Sequence, residues 1–285
     1  MANPNKGSIY QPLANMNLRT KTLLTIGITV LILIIVVISS LLINSAEITT
    51  NFKAMNQAPS LEHIFGTDWM GRDMFTRTIK GLGLSVQIGA GASILSSAIA
   101  ICLAFIGSIN NKLDSFIAWL VDLFLSVPHI LLIILISIAL GGGAFGVTMG
   151  VALTHWTSLT RILRAEIKQI KTSEFVKLSQ KFGKSKLWIA RKHILPLVIT
   201  QIIVGTILIF PHAIMHEASV TFLGFGLSPH EPAIGIILSE SMKYLSTGNW
   251  WLALFPGLAL LIIVLLFDIA GENIKKMLDP TSANE

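Results

Sequence analysis

The chain has 285 residues, of which 53% are hydrophobic and only 13% charged, with a mean hydropathy of +0.73. A soluble domain carries about 25% charged residues to cover its surface, so this composition excludes a soluble enzyme. The single cysteine, Cys102, excludes an internal disulfide framework or a cysteine zinc finger. The excess of 21 Lys and Arg over 15 Asp and Glu, in so apolar a chain, marks cytoplasmic loops of a membrane protein and not a nucleic-acid footprint.

Crossing the hydrocarbon core takes roughly 20 mostly apolar residues in a helix. Residues 22–43 are uncharged and long enough to cross. They exceed the 7–15 apolar residues of a secretory leader and read as a retained anchor. Residues 82–109 form a second span, rich in Gly and Ser that let helix backbones approach closely. Residues 116–140 form a third, with Asp122 as its one charge, and Gly141-Gly142-Gly143 makes a tight turn. Residues 145–160 are a short fourth span, 194–215 a fifth, and 250–267 a sixth that opens on the interfacial pair Trp250-Trp251. The fold class is therefore an all-α integral membrane protein with six transmembrane helices. Sixteen of the 21 basic residues fall in the segments before span one, between two and three, between four and five, and after six. The positive-inside rule then places both termini in the cytoplasm. This divides the chain into an N-terminal segment (1–21), a transmembrane domain (22–268) and a C-terminal tail (269–285), with an extracytoplasmic loop at 44–81 and a cytoplasmic loop at 161–193.

That cytoplasmic loop holds ten of the basic residues against Glu166 and Glu174. Inside it, Glu174 to Lys184 predicts a short amphipathic helix. Phe175, Val176, Leu178 and Phe182 form its apolar strip, and Gly183 stops it. Such a helix either lies on membrane lipid or fills a groove on another protein. Outside the membrane, Asp68, Arg72, Asp73 and Arg77 form a balanced charge set, expected either to dock an extracytoplasmic partner or to stabilise the fold.

Several strings, in order, resemble one family. They are Phe65-Gly66-Thr67-Asp68-Trp69-Met70-Gly71-Arg72-Asp73 with Arg77; Asp122 with Ser126-Val127-Pro128; Trp156, Arg161 and Arg164; Phe175-Val176 to Gly183 followed by His193-Ile194-Leu195-Pro196; Thr221-Phe222-Leu223-Gly224-Phe225-Gly226; and Phe255-Pro256-Gly257 with Asp279-Pro280. Over residues 60–280 the chain resembles the C-type permease subunit of dipeptide, oligopeptide and nickel ABC importers in the prokaryotic cell membrane. The resemblance implies the type I importer permease fold. It also implies a second, B-type permease, two cytoplasmic ATPases that bind ATP and Mg, and an extracytoplasmic solute-binding protein. Glu174, Phe175, Val176, Lys177, Leu178, Phe182 and Gly183 would form the coupling helix that meets an ATPase. Lys177-Leu178-Ser179 stand where the family has Glu-Ala-Ala. The chain has no G-x-x-x-x-G-K-(S/T) phosphate loop of its own, so it is read as a transport subunit and not an enzyme, binding no cofactor itself.

The histidines bear on the cargo. His212 and His216, four apart, share a helix face, and imidazole suits Ni, Cu and Zn. With His155-Trp156, this pattern resembles the nickel-transporting members more than the peptide members. Nickel, free or chelated, is thus the expected substrate, with dipeptides or oligopeptides as the alternative. The bland reading is hydrogen bonding between helices. Counted from Pro196, His212 stands about 24 Å above the inner edge, while His155 stands about 9 Å above Arg161. His155, His212 and His216 are therefore expected as successive pathway contacts and not one closed site, and His129 as structural. An ion-coupled secondary transporter is the competitor from another class, but it predicts internal repeats, which the chain lacks, and leaves the basic loop without purpose.

Overall fold

The computed structural model describes residues 18–44 and 49–278. Residues 1–17, 45–48 and 279–285, including most of the N-terminal segment, the Asp279-Pro280 string and the end of the tail, lie outside the described residues. Those described are almost wholly helical: α1 (Leu18–Leu42), α2 (Met74–Gly107), α3 (Asn111–Ser126), α4 (His129–Ala139), α5 (Gly143–Thr172), α6 (Glu174–Lys181), α7 (Lys186–Ile189), α8 (Leu195–Phe222), α9 (Ile234–Met242) and α10 (Trp251–Leu278). Among them the only extended pairing is a single bridge between Thr67 and Asp73.

Four helical stretches, 19–42, 74–107, 186–222 and 251–277, are long and apolar enough to cross a bilayer. The 186–222 stretch joins α7 to α8 through a π-helical turn at Ala190–Ile194. The expected third span is not one straight helix. It breaks into α3 and α4, whose axes differ by 96°. Val127 precedes a proline, whose ring disfavours helical backbone in the residue before it, and Val127 is extended at φ −98°, ψ 138°. Pro211 and Pro256, by contrast, sit inside continuous helices.

α2 lies at the centre and packs against α1, α5 and α8, while α4 folds back along α5. The α4–α5 contact is close because Gly150 has no side chain: a Cβ there would stand 2.8 Å from the Ile133 carbonyl oxygen. This is the small-residue packing expected between helices in lipid. α1 buries one stripe, Thr22, Thr29, Val36 and Ser40, and leaves Leu31, Ile35, Leu41 and Leu42 exposed where lipid would cover them. Its polar contacts to α10 run from Thr29 Oγ1 to the Leu266 carbonyl and from Asn273 Nδ2 to Thr25 Oγ1.

α5 is the most informative helix for placing the site. It runs 30 residues and does not end at the basic cluster. From His155 it continues to Thr172, about 25 Å further. At that lower end Arg164 and Lys168 pair with Asp114 of α3 at 2.7 and 2.8 Å, and Lys171 donates to the Ser108 carbonyl. Three of the ten basic residues of the loop thus clamp α5 to the α2–α3 junction.

Candidate functional site

Three histidines from three helices converge. His129 is the first residue of α4, His155 lies midway along α5, and His216 is on α8. Their ring centroids are 4.4 Å (129–155), 5.1 Å (129–216) and 5.0 Å (155–216) apart. One ring nitrogen from each falls within 4.8 Å of the others. His155 Nδ1 lies 2.9 Å from the Val151 carbonyl, 3.2 Å from Thr154 Oγ1 and 3.2 Å from His129 Nε2. His216 makes ring contacts with both neighbours and, among the described residues, no hydrogen bond. All three are at least partly buried, while His212, one turn before His216, is exposed.

This arrangement corrects two expectations. His129 is not a structural bystander: the break at Val127-Pro128 turns the chain so that α4 begins beside α5 and α8. His155 is not far below His216, because Arg161 does not mark the end of α5. Their rings stand 5.0 Å apart, so the two lie at one level. Of the three histidines first singled out, the structure brings His155 and His216 together and sets His212 on the rim of the same cavity.

The cavity occupies about 370 Å³ among α3, α4, α5, α8 and α10. His129, His155, His212 and His216 line it with Gln201 and Lys275, and its remaining wall is largely aliphatic. Neither Gln201 nor Lys275 carries a sequence motif, so only the fold identifies them. Glu217, next to His216, turns the other way into the bundle. It is fully buried, accepts from Thr221 Oγ1 and lies beside the Ser85 hydroxyl of α2.

Asp122 is exposed and pairs with Arg161 at 3.1 Å. The charge set of Asp68, Arg72, Asp73 and Arg77 turns inward. Asp68 accepts from the Met70 and Arg72 amides, from Arg72 Nε at 2.7 Å and from Arg77 at 2.6 Å, and Arg77 also reaches Glu240 at 2.9 Å. Asp73 caps α2 through the Thr76 amide and pairs with His63. These four residues hold the shape of the loop.

A second candidate surface is α6. Phe175, Leu178 and Phe182 are exposed, whereas Val176 is fully buried in the core with Trp156, Leu163 and Ile167. The expected single strip is therefore two faces. Positions 175, 178 and 182 share one side of a helix, and 176 lies about 100° round it. Val176 anchors the helix instead of meeting a partner. Lys177 and Glu174 pair on the exposed side at 2.9 Å. Behind them Ser179 meets His193 at 2.9 Å. Gly183 takes φ +73° and closes the helix: its amide donates to the Gln180 carbonyl and that of Lys184 to Ser179, the paired bonds of a glycine stop.

Comparison with known proteins agrees with this architecture. A family model described as "Binding-protein-dependent transport system inner membrane component" matches residues 96–281. The dipeptide transport system permease protein DppC of Bacillus subtilis (strain 168) is 31% identical over 226 residues, 79% of this chain and 71% of its own. The oligopeptide permease OppC of the same organism is 31% identical over 270 residues, covering 94% and 88%. DppC of Alkalihalophilus pseudofirmus is 33% identical over 248 residues, covering 86% and 80%. A chain of the inward-facing MetNI methionine ABC transporter superposes with a TM-score of 0.60 at 18% identity, covering 72% of this chain and 98% of that one. That likeness shows the fold, a type I importer permease. None of these similarities points to nickel.

Proposed function

Because the chain belongs to the family of binding-protein-dependent transport system inner-membrane components, a multi-pass membrane permease family of ABC importers, we propose that it forms half of the translocation path for short peptides. The relatives named as dipeptide and oligopeptide permeases support that substrate class. The observation that carries it in the structure is the cavity: about 370 Å³, inside the range of small-molecule sites, with Gln201 and Lys275 as donors to a peptide's carbonyl and carboxylate oxygens. In this reading α5 counts as a sixth span, and the termini are cytoplasmic. A B-type permease completes the path, and two ATPases holding ATP and Mg dock on α6. A solute-binding protein delivers cargo to the loop that Asp68 and Arg77 hold in shape. Closure of the ATPases pushes α6. Val176 transmits the push to the core that α6 shares with α5 and α8.

Uptake of a labelled dipeptide into vesicles containing the assembled importer tests this. ATP-dependent uptake stopped by vanadate is expected. Uptake that persists with vanadate, or without the ATPase subunits, refutes the reading in favour of an ion-coupled carrier. Nickel, free or chelated, is the second reading, favoured by one observation: the meeting of His129, His155 and His216 on the cavity wall.

A further inference from the structure

We propose that His129, His155 and His216 form a three-imidazole centre that binds one divalent transition-metal ion, with Ni²⁺ as the ion to test. The inference deepens the nickel reading and rests on it for any role in transport; the binding itself does not depend on that reading. Three features of the structure carry it. First, the chain places three strongly polar rings together on one cavity wall within the membrane, where polar groups are costly and are ordinarily paired or turned to a cavity, and His216 makes no hydrogen bond among the described residues. Packing alone does not explain that choice of residue. Second, one nitrogen from each ring lies within 4.8 Å of the other two. Imidazoles on a common ion at 2.0–2.1 Å stand about 3.3 Å apart in a tetrahedral site, so rotamer adjustments close the set without moving a helix. Third, the Val151 carbonyl, 2.9 Å from His155 Nδ1, accepts only from a protonated nitrogen and so leaves Nε2 as the basic nitrogen of that ring.

The ligand set selects the ion. Three neutral imidazoles and no carboxylate suit Ni²⁺, Cu²⁺ or Zn²⁺ and not Mg²⁺ or Ca²⁺, which take oxygen. His129, His155 and His216 also line the 370 Å³ cavity, which is far larger than a bare ion. The remaining coordination positions therefore face space that water or a chelating cargo fills.

The test is equilibrium dialysis of Ni²⁺ against the full-length chain in lipid nanodiscs, with no polyhistidine tag. One Ni²⁺ per chain is expected. His216→Gln and His155→Gln should each weaken binding at least about 10-fold, the lower end of what losing even an outer-shell partner costs, while His230→Gln on the exposed loop leaves it unchanged. Co²⁺ supplies a readout that needs no variant: visible bands of imidazole-bound Co²⁺ in the parent chain, displaced by Ni²⁺. No stoichiometric Ni²⁺ and no such bands in the parent chain overturn the site, as does unchanged affinity in both variants. Uptake assays separate site from cargo. Ni²⁺ bound as expected without nickel uptake keeps the centre and removes the nickel reading. Undiminished nickel uptake in a variant that no longer binds Ni²⁺ keeps the nickel reading and removes the centre from the path.

Discussion

Arg77 shows what a single side chain does in this protein. It is 4% exposed, gives one arm to Asp68 and another to Glu240, and leaves its Nε without a partner. Removing one member of a buried ion pair strands the other's charge and costs about 3–5 kcal/mol. Arg77→Met should therefore lower the thermal unfolding temperature of the detergent-solubilised chain markedly, whereas Glu240→Gln, on the more exposed partner, should lower it much less. Equal, small shifts in both would mean that the network is solvated. The charges of Asp68, Arg72, Asp73 and Arg77 were legible in the sequence, but their direction was not. Docking and self-pairing demand the same alternation of acid and base, and only the return of α9, bringing Glu240, reveals the self-pairing. Asp114, which clamps Arg164 and Lys168, carries no sequence signal beyond its sign for the same reason.

At the scale of elements, α6 and the α3–α4 break make the contrast. The end of α6 was readable because a glycine stop is local chemistry: φ +73° at Gly183 is open to glycine and closed to proline, whose φ is fixed near −65°. Gly183→Pro also removes the amide that donates to Gln180. It should abolish vanadate-sensitive uptake while the chain still inserts in the membrane. Gly183→Ala, which strains the backbone by about 1 kcal/mol, should only reduce uptake. Normal uptake by the proline variant would remove α6 from the coupling step. The break at Val127-Pro128 is also local, yet the apolar run 116–140 reads through it as one span. Proline by itself does not settle the matter, since Pro211 and Pro256 remain inside helices. What distinguishes Pro128 is a place for α4 to go: the flank of α5, kept clear by Gly146 and Gly150.

The whole molecule presents two kinds of uncovered apolar surface. Along α1 and α10 it is broad and aliphatic and suits lipid. On α6 it is a compact patch, Phe175, Leu178 and Phe182, among basic side chains beyond the apolar spans. Phe182→Asp should leave the unfolding temperature unchanged, because the side chain is 74% exposed. It should also cut co-purification of the ATPase subunits about 10-fold, since charge in the core of an interface forfeits its apolar contact and its desolvation; intact co-purification would move the docking face elsewhere. The sequence by itself determined the membrane class, the helical fold, the short helix that Gly183 closes and the family, because span length, charge placement and turn chemistry are properties of short stretches. Only the tertiary structure decided that His129, His155 and His216 share one wall of a cavity while Glu217 faces away. Those rings come from helices far apart in the chain, and their common level depends on how far α5 runs past Arg161 and where α4 turns, both set by packing and not by any local pattern.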